Sequence, residues 1–276
     1  ISKIVNERKK VEKGIRTSSD IDGTLLTRDH VVTELTRTEI HKITNNGILF
    51  TLASSRSPAG IEPIIRKNTF NCCMIAFGGG LILDEDRKII YEKGMDIYMA
   101  GKVIEYIEKN CADVTWNIFT ADTWIVKDRS DQRVQHEEQV VETSAKMGTI
   151  KDLKPYACVD KILCMCAPQK LSETEQAVRQ AFPNLSVAKS SNTLLEIMQQ
   201  GVNKAEAVKR LCEIKGIRME YTMAFGDNYN DLEMLEAVKY GVAMGNAPEA
   251  IQKKAAIVTK DHENDGIAYI LEQVQY

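Results

Sequence analysis

The chain is 276 residues long, 43% hydrophobic, and carries 36 Lys+Arg against 39 Asp+Glu for a formal net charge of -3. That length and apolar content build about two domains with cores of their own, and exclude a disordered chain or a small disulfide-stapled scaffold. The balanced charge offers no basic field for nucleic-acid phosphates, no stretch approaches the roughly 18 apolar residues of a membrane span, and Ile1 to Gly14 is lysine-rich without the apolar core of a signal peptide.

The expectation is a soluble, cytoplasmic protein with no nucleic-acid or membrane partner, whose residues 1–14 are an N-terminal extension without a functional part. The segment Leu35 to Asn46 carries Leu35, Ile40 and Ile43 at helical spacing and ends at Gly47, a natural helix stop. Apolar runs from Ile48 to Ala53 and from Met74 to Phe77, each followed by Gly, Ser or Pro, read as strands buried on both faces.

The middle, about Asp84 to Asn192, has a different pattern. Val114 to Phe119 and Trp124 to Lys127 sit close enough for a hairpin, while Ile97 to Lys109 and Leu171 to Phe182 read as amphipathic helices. Alternation returns after it: a helix capped by Asn203 and ended by Gly216, a strand at Thr222 to Phe225, a helix with Leu232, Leu235 and Val238 inward, a strand at Gly241 to Met244, a helix opened by Pro248 and a strand at Ala256 to Thr259. Such βαβ units predict an α/β fold, a doubly wound, Rossmann-like parallel sheet. The middle is predicted to be an α+β domain inserted into it, so that residues 15–83 and 193–276 form the core and 84–192 the insertion.

Seven cysteines, an odd number without metal-ligand spacing, fit buried thiols better than a disulfide framework. Cys164 and Cys166 alternate on one face of a strand-like run, but four His in the whole chain leave few partners for zinc, and both are read as core residues.

The chemistry concentrates at strand ends. Asp20-Ile21-Asp22-Gly23-Thr24 arrives where the first strand should stop, and in open α/β sheets ligands collect at the carboxyl ends of strands. Two acids so close repel unless a divalent cation or a shared proton resolves them; a turn or capping pair is the alternative. Phe225-Gly226-Asp227-Asn228-Tyr229-Asn230-Asp231 again places acids after an apolar strand, with Asn230 or Asp231 free to cap the next helix. Asp20, Asp22 and Asp227 together make a hard oxygen site of the kind Mg2+ prefers. Ser54 follows the second strand with a hydroxyl and free backbone N–H groups for a phosphate. Lys204 in a first helical turn opposes the helix dipole, which points either to a compensating anion or to a solvated surface lysine.

With these residues in order, the chain resembles the haloacid dehalogenase superfamily of phosphohydrolases, and in particular its Cof-type branch with a large cap. The resemblance rests on Asp20-x-Asp22-Gly23-Thr24, Ser54, Lys204 and Gly226-Asp227-x-x-Asn230-Asp231, with 150 positions between Ser54 and Lys204 where that branch inserts its cap. It implies a magnesium-dependent hydrolysis of small phosphomonoesters, such as sugar phosphates or phosphorylated cofactors. Asp20 is the implied nucleophile and Asp22 the acid and base. Ser54, Lys204 and Asn230 are the implied phosphate ligands, Asp20, Asp22 and Asp227 the metal ligands, and Asp231 the support of the metal shell. A phosphomutase or phosphotransferase using the same acids, and a non-catalytic binder of a phosphorylated metabolite, are the competing readings.

Three departures from the family pattern stand out: the polar first strand Ile15 to Ser19, Ser55 after the motif hydroxyl, and Gly78 where relatives carry Asn. A free Asp has a pKa of about 3.9, so Asp20 is expected to be ionised at neutral pH without a base, whereas Asp22 needs a sheltered site to keep a proton. Trp116, Trp124 and Arg129 are candidates for substrate contact in the inserted domain, but aromatic residues in a small sheet are more often core, and core is the preferred reading of the aromatic pair.

Overall fold

The structure, a computed structural model, describes residues 16–155 and 157–274; the extension expected over residues 1–14 lies outside them. The chain divides into two compact units. One holds the described residues up to Ser55, Ile64–Tyr91 and Asn203 onward; the other holds Arg56–Pro63 and Glu92–Val202.

The first unit is built on β1 (Arg16–Ser19), α1 (Glu34–Asn45), β2 (Phe50–Ala53), α2 (Pro58–Asn68) from Ile64 onward, β3 (Cys73–Ala76), β4 (Leu81–Leu83) and β5 (Ile89–Glu92) up to Tyr91. In the second unit follow β6 (Met95–Asp96), α3 (Ile97–Asn110), β7 (Thr115–Phe119), β8 (Trp124–Val126), α4 (Gln132–Val141), β9 (Lys146–Met147), β10 (Cys158–Val159), β11 (Lys161–Met165), α5 (Pro168–Ala181), β12 (Leu185–Lys189) and β13 (Leu194–Gln199). The first unit then resumes with α6 (Lys204–Lys215), β14 (Thr222–Gly226), α7 (Leu232–Ala237), β15 (Tyr240–Ala243), α8 (Glu249–Gln252), β16 (Ile257–Val258) and α9 (Gly266–Leu271).

Its sheet runs β16-β15-β14-β1-β2-β3-β4-β5, and the strands from β16 to β3 are parallel. This is the doubly wound α/β core that the alternation predicts. The polar β1 is nevertheless central, with Ser19 opposite both Leu52 and Phe225. Ladder pairing uses the main chain, so the side chains of β1 need not be apolar when its neighbours are. Thr17, Ser18 and Ser19 are all buried, and the Ser19 hydroxyl donates to the Asp20 carbonyl at 2.7 Å.

Helices close the faces of the sheet. Val208, Leu211 and Cys212 of α6 and Met234 and Leu235 of α7 pack with Ala53, Ile75 and Ala224 in one apolar cluster. Asn203 caps α6 by accepting the Glu206 N–H, and Gly216 ends it with a left-handed φ of 66°. The C-cap of α1 is Asn46 rather than Gly47, and Pro248 is the N-cap residue of α8 rather than its first helical position.

The second unit is α+β: a sheet in the order β12-β13-β11-β7-β8-β9, with β7 and β8 forming the expected antiparallel hairpin. Its core joins Val103, Ile107, Trp116, Ile118, Cys164 and Val178. Cys164 and Cys166 are buried thiols in that core, as their alternation in a strand implied.

Candidate active site

Parallel register brings three strand exits to one edge. Asp20 follows β1, Ser54 follows β2 and Asp227 follows β14, and the Ser19 pairing with Leu52 and Phe225 sets all three at one level. The Asp20 N–H continues the ladder by donating to the Phe225 carbonyl at 3.0 Å. Lys204, first residue of α6, reaches the same place.

Lys204 is buried and held between two carboxylates. Its Nζ donates to Asp20 Oδ1 at 2.5 Å and to Asp231 Oδ1 at 2.6 Å. A lysine set against its own helix dipole is thereby compensated by anions, and the solvated-lysine alternative is excluded. The second Asp231 oxygen, Oδ2, accepts the N–H groups of Asp227 and Asn228 at 3.1 and 3.0 Å. One fully buried side chain therefore fixes both the lysine and the main chain that carries Asp227.

Asp227 is oriented from two further directions. Thr24 Oγ1 donates to its Oδ1 at 2.8 Å, and Asn246 Nδ2 to its Oδ2 at 3.4 Å while also donating to the Gly23 carbonyl at 2.9 Å. Gly23 has φ +78°, and a Cβ there would lie 2.5 Å from Asp227 Oδ2, so the turn after Asp22 admits only glycine beside this carboxylate. Thr24 and Asn246 are functional positions that the sequence reading did not single out as such. The Gly-Thr continuation of the first motif was the available signal for Thr24, whereas Asn246 comes from 223 positions beyond Gly23, in the turn after β15.

Electrostatics set the demand of the site. Burial pushes the Asp20 carboxyl up to about 8; the Lys204 ammonium opposes the rise, and Asp231 and Asp227 add to it. Burial likewise raises Asp227, against the Thr24 hydrogen bond. On Lys204 burial acts downward, but Asp20 and Asp231 outweigh it and hold the ammonium above its usual value. The expectation that Asp20 is ionised at neutral pH without a base is thus qualified by its burial: the charge depends on the Lys204 ammonium beside it.

One ammonium balances three carboxylates whose oxygens lie within 4.8 Å of one another, Asp20, Asp227 and Asp231. Both Asp231 oxygens are already engaged, which leaves Asp20 and Asp227 as the donors for a further positive charge. Two hard carboxylates match the oxygen ligands that Mg2+ takes. The residues fit the ion.

Three other expected site residues, Asp22, Asn230 and Ser54, have surroundings that differ from those of the buried acids. The Asp22 side chain is exposed and is not among the three gathered carboxylates. Asn230 is exposed on the single turn Tyr229–Asp231, and among the described residues its side chain has no hydrogen bond; Asn228 supplies the capping oxygen there instead. Ser54 is buried at its strand end, but its N–H donates to the Ile75 carbonyl at 2.9 Å and is not free for an anion. Gly78 has φ 62°, a left-handed turn that suits glycine and asparagine alike, which accounts for that departure from the family pattern.

In the second unit Trp116 and Trp124 are core. Their indole N–H groups donate to Glu108 and Asn117, and Trp124 stacks on Phe119 with ring centroids 5.1 Å apart. Arg129 is held by Glu138 at 2.7 Å. The packing reading preferred for the aromatic pair therefore holds.

The family description "haloacid dehalogenase-like hydrolase" matches residues 17–271. The chain belongs to the haloacid dehalogenase-like hydrolases. A Haemophilus influenzae protein provisionally called a phosphatase is 34% identical over 92% of this chain and 96% of its own length. A 5-amino-6-(5-phospho-D-ribitylamino)uracil phosphatase of Bacillus subtilis is 24% identical over the same shares, and an HMP-PP phosphatase of Yersinia enterocolitica 29% over 92% of each chain. Among solved structures, a haloacid dehalogenase-like hydrolase from Bacteroides thetaiotaomicron superposes with TM-score 0.87 at 26% identity, covering 95% of this chain and 99% of that one. This haloacid dehalogenase-like hydrolase is a phosphatase.

Proposed function

We propose that this hydrolase cleaves small phosphomonoesters with Mg2+ and passes the phosphoryl group through Asp20. The observation that carries the reading is the Asp20–Lys204–Asp231 bridge beside the oriented Asp227: a carboxylate nucleophile, a fixed ammonium and a second metal-binding carboxylate at adjacent strand ends. Asp20 and Asp227 would hold the ion, with the Asp22 main-chain carbonyl as a third donor. When bound, Mg2+ supplies charge neutralisation for the phosphoryl oxygens and lowers the pKa of Asp20.

The chain's own residues do the rest. An Asp20 carboxylate oxygen attacks phosphorus, the new P–O bond forms as the ester P–O bond breaks, and Asp22 gives its proton to the departing alkoxide. Lys204 and the Ser54 hydroxyl offset the charge on the transferring group. Asp22, now ionised, takes a proton from the water that attacks phosphorus, and inorganic phosphate leaves with Asp20 restored. Asn230 serves the phosphate and Asp231 the frame.

The inserted unit, residues 84–192 by sequence, is proposed as the cap that chooses the leaving group. Phosphorylated sugars and phosphorylated cofactors are the proposed substrates; of the relatives above, one is named for a phosphoribitylamino-uracil and another for HMP-PP. A phosphatase screen over such a panel, with and without Mg2+, tests the reading. Magnesium-dependent phosphate release lost in Asp20→Asn supports it, and full activity of Asp20→Asn or of the chelated enzyme overturns it.

A further inference from the structure

The unit Glu92–Val202 contains a second set of metal-ligating side chains, separate from the strand-end acids. Glu92, Cys158 and Asp160 each bring one ligand atom within 4.8 Å of the others. Asp160 is 0% exposed, and both of its carboxylate oxygens lack a hydrogen-bond partner among the described residues. Burial of a carboxyl group in that state is strongly disfavoured unless a cation or a proton answers it.

The surroundings bring these side chains together without neutralising them. β10 pairs antiparallel with β6, Cys158 opposite Asp96, and the Asp160 N–H donates to the Phe119 carbonyl at 2.9 Å, which pins Asp160 between β10 and β11. A Cβ on Gly94 would lie 2.7 Å from Cys158 Sγ and 2.6 Å from the Val159 carbonyl oxygen, so glycine alone lets the segment from Glu92 pass this close. The lysines next in sequence are directed elsewhere: Lys93 donates to the Gly201 carbonyl at 3.2 Å, and Lys161 pairs with Glu196 at 3.2 Å.

We propose that Glu92, Cys158 and Asp160 bind a borderline divalent cation, zinc above all, through one thiolate and two carboxylates. Three protein ligands leave one position of zinc's usual four for water, and the thiolate selects against magnesium, which prefers oxygen. Binding releases the Cys158 thiol proton to solvent as the sulfur–metal bond forms. The ion would tie Glu92, the first residue of its unit in that stretch, to β10 and β11.

Cobalt replaces zinc as a coloured probe. The full chain, titrated with Co2+ in excess Mg2+, is expected to take up one equivalent with a thiolate-to-cobalt charge-transfer band. The band should be lost in Cys158→Ala, weakened roughly tenfold or more in affinity in Asp160→Asn, and retained in Cys111→Ser and in Asp227→Asn, the last of which separates this site from the strand-end acids. On the unmutated chain, zinc should slow iodoacetamide alkylation of Cys158, mapped by mass spectrometry; this arm decides the matter even if Cys158→Ala fails to fold. A wild-type chain without the band, a band that survives Cys158→Ala, or alkylation of Cys158 at one rate with and without zinc overturns the proposal.

Discussion

Asp231→Asn is the most informative conservative change, because the shape is kept and only the acceptor count falls. Asp231 Oδ1 accepts from Lys204 at 2.6 Å, and Oδ2 accepts from the Asp227 and Asn228 N–H groups. An amide has one acceptor oxygen. Its NH2 must face either the Lys204 ammonium or the two backbone donors, so one side of the bridge is broken whichever way it turns. A hydrogen bond to a charged group contributes about 1.5–3 kcal/mol, and a donor left unpaired in a buried place costs a similar amount. Lys204 keeps Asp20 as a partner, which places the expected loss at about 2–3 kcal/mol of stability rather than the ~3–5 kcal/mol of an abandoned buried charge. The same change displaces Lys204 or Asp227 from the position where transition-state charge forms, for which about a 100-fold loss of turnover is expected. Urea unfolding measures the first quantity, and phosphate release from p-nitrophenyl phosphate under Mg2+ titration the second. A variant within about 0.5 kcal/mol of wild type and within about twofold in rate would refute the view that Asp231 organises the site.

Lys204→Met leaves Asp20 and Asp231 facing each other without their shared cation, and turnover is expected to fall about 100-fold or more at saturating Mg2+; steady-state kinetics that leave kcat unchanged would contradict this. Gly23→Ala must adopt a φ of +78° and push on Asp227 Oδ2, so a stability loss of about 1–2 kcal/mol should come with a several-fold rise in the Mg2+ concentration for half-maximal activity, read by denaturation and metal titration. In the second unit, Arg133 and Thr115 hold the Asp131 carboxyl well below the usual carboxylate range, against the opposing effect of burial. A depressed carboxyl stabilises the fold above its unfolded pKa of 3.8 and loses that contribution as pH falls, so Asp131→Asn should be less stable than wild type at neutral pH and the gap should narrow below about pH 4. Urea midpoints across that range check it, and a gap that widens on acidification would show the sign to be wrong.

The sequence made the strand-end acids legible because hydrophobic runs, followed at once by Asp or Ser, mark strand exits whatever the neighbouring strands turn out to be. The register that sets Asp20 level with Asp227 was implied by the βαβ alternation, and the caps at Asn203 and Gly216 by local backbone chemistry. Quantities governed by burial were not legible. Asp20 and Asp22 are two positions apart and look alike in sequence, yet one is buried with a strongly raised pKa and the other is exposed. Asn230 and Asn228 could each have faced the site, and only the tight turn at Tyr229–Asp231 decides that Asn228 does the capping. β1 was read as a weak strand from its side chains, but its place was fixed by pairing on both edges. Trp116 and Trp124 were candidates for substrate contact as well as core, and their own burial, with acceptors at Glu108 and Asn117 that the local pattern does not show, settles them as core.

The central claim is that the phosphoryl group passes through the Asp20 carboxylate. Rapid acid quench of the enzyme during turnover of a 32P-labelled phosphomonoester tests it directly, with one portion peptide-mapped for label without reduction and a second reduced with borohydride, which releases the phosphate, and mapped for homoserine. The account predicts label on the peptide containing Asp20 and conversion of that one aspartate to homoserine, with neither in Asp20→Asn. Steady turnover with no label on any peptide, or label on a residue other than Asp20, would contradict it.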